Sequence, residues 1–232
     1  ADDYDLAPSG RRIVVSIHGE IFTAPTDEGD LHQLTNSPWR DKEPQYSPDG
    51  KWVAYISDQS GREELYLTAA DGTSQPQKIT DIDALKFNFA WSPNSKEIAY
   101  TSSDSRLRKY TVESKQTVEL SSSKFGNIGG PVWSPDGKWI AFSKQDYTRT
   151  SNIILMPSAG GEEHTVTFDS YSEVNPQFSP DGRKLFFVRT EGGGGAGAGQ
   201  PSAQIYYVTL EREERDPADP QDRPEQTEQE VT

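Results

Sequence analysis

The chain has 232 residues, carries a formal net charge of −14 at pH 7, contains 32% hydrophobic residues and has no cysteine. The lack of cysteine excludes disulfide bonds, thiolate metal sites and a cysteine nucleophile. The acidic balance argues against nucleic acid and an anionic membrane as partners, because both attract clustered lysine and arginine.

The strongest signal is a segment that recurs. In residues 132–142, Ser134-Pro135-Asp136-Gly137 stands between apolar stretches that are rich in β-branched and aromatic residues. Proline fixes φ at the first corner of a tight turn, aspartate accepts a bond from the backbone ahead, and glycine tolerates a positive φ. The segment therefore predicts two strands joined by a tight turn.

Five versions of this segment follow one another along the chain. They cover residues 6–15 (a degenerate version), 46–55, 91–100, 132–142 and 178–187. Their prolines recur at about 40–45 residues, the period of a four-stranded propeller blade. The sequence therefore predicts an all-β fold, a β-propeller of four-stranded antiparallel blades, with about five repeats in a partial or open ring.

The repeats are predicted at residues 1–39, 40–80, 81–123, 124–169 and 170–213. The first has predicted strands at residues 13–16 and 20–24 and a short outer strand at 31–35. The second shows the full plan, with strands predicted at residues 43–46, 52–56, 64–67 and 77–80.

The last repeat and the C-terminal segment depart from this plan. A glycine-rich loop at residues 192–199 separates two strands of the fifth repeat, and no convincing fourth strand follows. Residues 214–232 are rich in Pro, Glu and Gln and are predicted to form a disordered acidic tail or linker. Both ends therefore look cut from a longer protein.

The search for reactive groups yields no catalytic residue, no metal site and no cofactor site. His18, His32 and His164 do not have the spacing of metal ligands. Most serines belong to the turns, where their hydroxyls bond the backbone, and no serine stands in a nucleophile-elbow motif.

The inner wall of the propeller is the remaining candidate site, because the first strand of each blade lines the central channel. These strands are predicted at residues 43–46, 87–91, 129–133 and 173–178, and alternation places the residue before each Ser-Pro inside the blade. The candidates for the channel wall are then Glu43, Gln45, Asn88, Ala90, Glu173 and Gln177. A solvated inner rim that binds no ligand is the alternative.

The repeated Trp/Tyr-Ser-Pro-Asp-Gly-Lys-Trp blocks resemble TolB-type propeller repeats. The order of the segments at residues 19–25, 47–55, 64–67, 103–110 and 133–144 more closely resembles tricorn protease and its bacterial homologues. This resemblance covers roughly residues 5–210.

The resemblance implies that the chain is part of the second, seven-bladed propeller of a tricorn-like serine peptidase. In that family the propeller is a channel and size filter for peptides, and the catalytic Ser and His lie in later domains. No catalytic residue can therefore be transferred to this chain. Five repeats in place of seven would leave blade edges open at both ends. The chain is therefore expected either to pair with something, for example with itself through these edges, or to tolerate an open edge.

Three functions follow as hypotheses, with peptides or another protein domain as partners. The first is a non-catalytic propeller segment of a tricorn-like peptidase, which implies a cytoplasmic location. The second is a TolB-like periplasmic protein–protein interaction module, and the third is the propeller cap of a prolyl-oligopeptidase-type hydrolase. The domain that follows residue 232 would discriminate among them.

Overall fold

The computed structural model describes residues 3–168, 170–191 and 202–211. Over these residues the chain forms nineteen strands and no helix, and thus no helix that could cross a membrane. The strands form five antiparallel sheets, each built from strands that are consecutive in the sequence.

Each sheet is one blade. The first blade contains β1 (Asp3–Leu6), β2 (Arg12–Ile17), β3 (Glu20–Pro25) and β4 (His32–Gln33). The second contains β5 (Asp41–Tyr46), β6 (Trp52–Ser57), β7 (Glu64–Ala69) and β8 (Gln77–Lys78). The third contains β9 (Lys86–Trp91), β10 (Glu97–Ser102), β11 (Arg106–Thr111) and β12 (Gln116–Ser122).

The fourth blade contains β13 (Val132–Trp133), β14 (Trp139–Gln145), β15 (Ser151–Pro157) and β16 (His164–Thr165). The fifth contains β17 (Ser172–Phe178), β18 (Lys184–Glu191) and β19 (Ser202–Thr209), three strands within the described residues. The blades pack in chain order and the ring is open, which confirms the predicted fold class.

Local differences from the sequence prediction occur in the first blade. β1 was not predicted, and the outer strand expected at residues 31–35 is reduced to β4. The glycine-rich loop at residues 192–199 and the tail at residues 214–232 lie outside the described residues. The boundaries of the repeats stay a prediction.

The middle strands form the core, because in the second, third and fourth blades a neighbouring blade covers each of their two faces. In β6 every residue from Val53 to Ser57 is buried, and β10 is buried in the same way from Ile98 onward. The short outer strands β4, β8 and β16 are exposed. Each interface between consecutive blades therefore holds a compact apolar cluster.

The repeated turn has the same hydrogen bonds wherever its sequence recurs. The hydroxyl of Ser134 donates to the carboxylate of Asp136 at 2.6 Å and accepts the amide proton of Trp139 at 2.9 Å. The carboxylate of Asp136 also accepts the amide proton of Lys138, and Gly137 has a φ of 71°. These bonds explain why the motif specifies a turn in each blade.

Candidate functional site

The first strands of successive blades lie beside one another and form the inner wall. The side-chain amide of Gln45 on β5 donates to the carbonyl of Phe89 on β9 at 3.3 Å. The indole N–H of Trp133 on β13 donates to the carbonyl of Ala90 at 3.1 Å. Each of these bonds ties one blade to the next at the inner strand.

The inner strands of the first two blades line a shallow, open polar groove of about 430 Å³. Its lining residues are Asp3, Tyr4, Asp5, Glu43, Pro44 and Gln45. Two of the predicted wall residues, Glu43 and Gln45, therefore come together here. Asp3 and Asp5 were not predicted as wall residues. The signal that could have indicated them is the alternation of polar and apolar residues in Asp3-Tyr4-Asp5-Leu6, just before the first turn.

The carboxylates of β1 bond the backbone of β5. The amide of Tyr46 donates to Asp5 at 2.8 Å, and the amide of Glu43 donates to Asp3 at 3.3 Å. The strand is irregular at this point, with a register shift between Lys42 and Gln45 and a φ of 53° at Glu43. A bulge of this kind redirects the side chains next to it.

A matching irregularity occurs in β17 of the fifth blade. The register shifts between Val174 and Gln177, and Asn175 has a φ of 55°. In both strands the residue with positive φ precedes a proline, Pro44 or Pro176. The repeat therefore preserves this backbone shape on the inner wall even where the side chain changes.

The groove is acidic. Burial raises the pKa of Glu43, Lys42 acts in the opposite direction, and the charges of Asp3 and Glu63 raise it further. The ammonium group of Lys42 lies 2.5 Å from Glu63 and 4.0 Å from Glu43, so it is shared between two carboxylates. The groove therefore favours positively charged groups over negatively charged ones.

The two predicted wall residues on β9 have different surroundings. Asn88 is exposed, and the backbone of Gly130 approaches it so closely that a Cβ there would lie 3.3 Å from the Asn88 Cβ. Ala90 is half-buried and packs against the apolar cluster between the third and fourth blades. Its carbonyl, rather than its side chain, makes the polar contact described above.

The two predicted wall residues on β17 also differ. Gln177 is exposed, whereas Glu173 is fully buried. Arg189 on β18 donates to one Glu173 oxygen from Nε at 3.1 Å and from Nη2 at 2.8 Å. Its guanidinium group also lies over the ring of Tyr206, 4.4 Å from the centroid. Glu173 thus serves an internal ion pair, and the binding role of all six candidates stays a prediction.

The structure contains no grouping of three or more His, Asp or Glu side chains suited to a metal ion within its described residues. His32 and His164 lie exposed on outer strands, and His18 occupies a turn with a φ of 53°.

Five consecutive antiparallel blades with their first strands on the inside define this chain as an open β-propeller. The chain belongs to the family of the tricorn protease second beta propeller domain, whose model matches residues 1–190.

The chain is also similar to two named proteins. The chain is 28% identical over 196 residues to the uncharacterized peptidase YuxL of Bacillus subtilis, covering 80% of this chain and 29% of that protein. It is 30% identical over 199 residues to a TolB homolog of Chlorobium chlorochromatii, covering 79% of this chain and 44% of that protein. The chain thus spans less than half the length of either relative.

The fold is also that of a solved structure. The crystal structure of the tricorn protease superposes with a TM-score of 0.72 and 16% identity, covering 90% of this chain and 21% of that chain. At this identity the superposition shows a shared fold.

Proposed function

We propose that this chain is a peptide-guiding propeller segment of a tricorn-like serine peptidase, and that another domain performs the cleavage. The acidic groove between β1 and β5 supports this proposal, because the carboxylates of Asp3, Asp5 and Glu43 and the side-chain amide of Gln45 are among its lining groups. Membership of the tricorn second-propeller family supports it.

The chemistry of the groove suits an extended cationic peptide. Asp3, Asp5 and Glu43 supply negative charge, and Gln45 supplies a donor and an acceptor for a peptide backbone. The volume of about 430 Å³ lies within the usual range for small binding sites. Segments that contain Lys or Arg should therefore bind in preference to segments that contain Glu or Asp.

The experiment incubates the purified 232-residue chain with matched peptides that differ only in Lys or Glu at one position. Mass spectrometry then measures retention and cleavage together. The lysine peptides should be retained intact, and the substitution Glu43→Gln should weaken their retention. Glu113→Gln, a change of an exposed residue outside the groove, should leave retention unchanged.

Two results would contradict the proposal. Equal retention of the lysine and glutamate peptides would remove the role of the acidic groove. Cleavage that copurifies with the chain would place a catalytic centre within these residues.

A second function, docking of another protein surface, is favoured by the face of the fifth blade that lies opposite its contact with the fourth blade. In the second blade the paired positions Ala54, Ile56, Leu65 and Leu67 are almost completely buried against the third blade. The corresponding positions in the fifth blade are Phe186, Val188, Ile205 and Tyr207. Here Ile205 is 78% exposed and Tyr207 is 54% exposed.

The opposite end of the open ring has a similar apolar face. Tyr4 is 76% exposed and Leu6 is 54% exposed, since among the described residues no other blade packs on this side of the first blade. We propose that the fifth-blade face of one molecule packs against the first-blade face of a second copy. Such a head-to-tail contact buries both faces.

Sedimentation analysis over a range of concentrations tests this second proposal. The wild-type mass should rise with concentration, and Tyr207→Lys should keep the chain monomeric. Val118→Lys, on the outer strand β12, is the matched surface control and should associate like the wild type. If the wild-type chain stays monomeric at all concentrations, the proposal is wrong. The two faces would then be contact surfaces for further blades.

A further inference from the structure

Asp41 and Glu173 occupy equivalent places in the second and fifth blades. Each lies near the start of its inner strand and ahead of the bulge, and each pairs with the second strand, opposite Ser57 and Arg189 respectively. Both side chains are buried, with Asp41 2% exposed and Glu173 0% exposed.

The two carboxylates differ in how their charge is balanced. In the fifth blade the guanidinium group of Arg189 forms the ion pair with Glu173 at 2.8 Å. In the second blade the residue opposite Asp41 is Ser57, which carries no charge. Among the described residues, no Lys or Arg forms an ion pair with Asp41, and its Oδ1 has no hydrogen-bond partner.

The surroundings of Asp41 add negative charge. Burial raises the pKa of Asp41, and the hydroxyls of Ser57 and Thr35 act in the opposite direction. Asp58 and Glu20 then raise it further through their own charges. A buried carboxylate in such surroundings is costly unless a cation reaches it.

A cavity of about 290 Å³ gives access to Asp41 between the first and second blades. Thr35, Asn36 and Gln59 provide polar lining, and Leu34 and Pro76 provide an apolar part. The cavity shares no lining residue with the acidic groove between β1 and β5.

We propose that this cavity binds a guanidinium group from outside, so that a ligand takes in the second blade the place that Arg189 has in the fifth. A planar guanidinium offers parallel N–H donors to a carboxylate, and the alkyl stem would lie along Leu34 and Pro76. The group comes either from an arginine side chain of another polypeptide or from a small alkylguanidine. This inference does not depend on the proposed passage of peptides.

The test titrates the isotope-labelled 232-residue chain with n-butylguanidinium and follows backbone amide shifts by NMR. A second titration uses a short blocked peptide with one arginine. n-Butylurea, and the same peptide with citrulline, are the uncharged controls. Saturable shifts should appear around residues 34–41 and 55–59 with the guanidinium compounds only. The ratio of the two dissociation constants then tells which source of the group fits better.

Two substitutions examine the role of the carboxylate. Asp41→Asn keeps the shape and removes the charge, and it should weaken butylguanidinium binding by at least about tenfold. Ser57→Arg should supply a guanidinium from within the blade, as Arg189 does, and abolish binding in a folded protein. This second variant keeps the test decisive if Asp41→Asn fails to fold.

Several results would overturn the proposal. They are equal shifts with butylurea, an unchanged dissociation constant in Asp41→Asn, binding that persists in Ser57→Arg, and no saturable shift at millimolar ligand. The last result would mean that Asp41 is satisfied by water alone.

Discussion

The hydroxyl of Ser95 accepts a hydrogen bond from the backbone N–H of Asp49 at 2.9 Å, and this bond joins the turns of the second and third blades. Ser95 occupies the place that glycine has in the other turns and adopts a φ of 62°.

Between the later blades a glycine takes the equivalent place against a proline. A Cβ at Gly137 would lie 3.8 Å from Cδ of Pro93, and one at Gly182 would lie 3.6 Å from Cδ of Pro135. The turns therefore form a continuous row along one end of the blades, and contact between turns helps to set the spacing of the blades.

Substitutions at Ser95 separate the hydrogen bond from the backbone strain. Ser95→Ala removes the bond and keeps a Cβ in the left-handed region, so it should lower the free energy of unfolding by about 1 kcal/mol. Ser95→Gly also removes the bond but relieves a left-handed conformation that costs about 1–2 kcal/mol for other residues. Urea unfolding should therefore show the glycine variant to be the more stable of the two. The reverse order would mean that the left-handed backbone carries no strain here.

The architecture was predictable from the sequence because the turn residues act locally. Pro135, Asp136 and Gly137 fix a turn without help from the rest of the chain, and the repeat period then gives the blades. The expectation that the residue before Ser-Pro lies inside the blade is confirmed for Tyr46, Trp91 and Trp133, which are buried, whereas Phe178 is only half-buried.

The candidate site was less predictable because it depends on contacts between blades and strands. The buried state of Glu173 depends on Arg189, which becomes its neighbour only when β17 pairs with β18. The groove at Glu43 depends on how closely β1 approaches β5, and on a positive φ at a residue that is not glycine. Neither feature leaves a local pattern in the sequence.

The ion pair between Arg189 and Glu173 should be costly to break from one side. Arg189→Met leaves a buried carboxylate without its cation and should lower the free energy of unfolding by about 3–5 kcal/mol. The double substitution Glu173→Gln with Arg189→Met removes that charge and should recover part of the loss. Urea unfolding of the single and double variants measures both effects.

A matched control for the Arg189 variants is a substitution of Arg183, whose ion pair with Glu211 is largely exposed. Arg183→Met should change the free energy of unfolding by less than about 1 kcal/mol. If Arg189→Met costs no more than this control, the buried pair contributes nothing to stability.

Asp104 should contribute to the loss of folding stability at acidic pH. Hydrogen bonds from Arg108, supported by one from Ser102, lower the pKa of Asp104 to about 2. Because the pKa of Asp104 is lower in the folded state than in the unfolded state, its contribution to the free energy of unfolding is fully present above the unfolded pKa. It is lost as the pH falls through the folded pKa.

Asp104→Asn should therefore reduce stability at neutral pH and reduce the further loss between about pH 4 and pH 2. Unfolding by urea at several pH values in this range measures the slope. Glu113→Gln, a change of an exposed residue after β11, is the control and should leave most of the slope unchanged. An unaltered slope in Asp104→Asn would show that the contact with Arg108 is not maintained in solution.

Substitutions of Trp133 and Leu6 test how much the residue before the turn contributes to the stability of the fold. They occupy equivalent places, but Trp133 is 9% exposed and packs against the third blade, whereas Leu6 is 54% exposed. Trp133→Ala should lower the free energy of unfolding by about 3–5 kcal/mol, because it leaves a cavity between two blades.

Two further substitutions complete this comparison. Trp133→Phe keeps most of the volume but leaves the carbonyl of Ala90 without its indole donor, so it should cost about 1–3 kcal/mol. Leu6→Ala should cost less than about 1 kcal/mol, because Leu6 is largely exposed and no blade of the described part of the chain covers it. Thermal and urea unfolding of the three variants at one low protein concentration gives the order. At this low concentration the proposed head-to-tail contact is dissociated, so a cost at Leu6 equal to that at Trp133 would contradict the prediction and show that another surface covers the first blade even in the monomer.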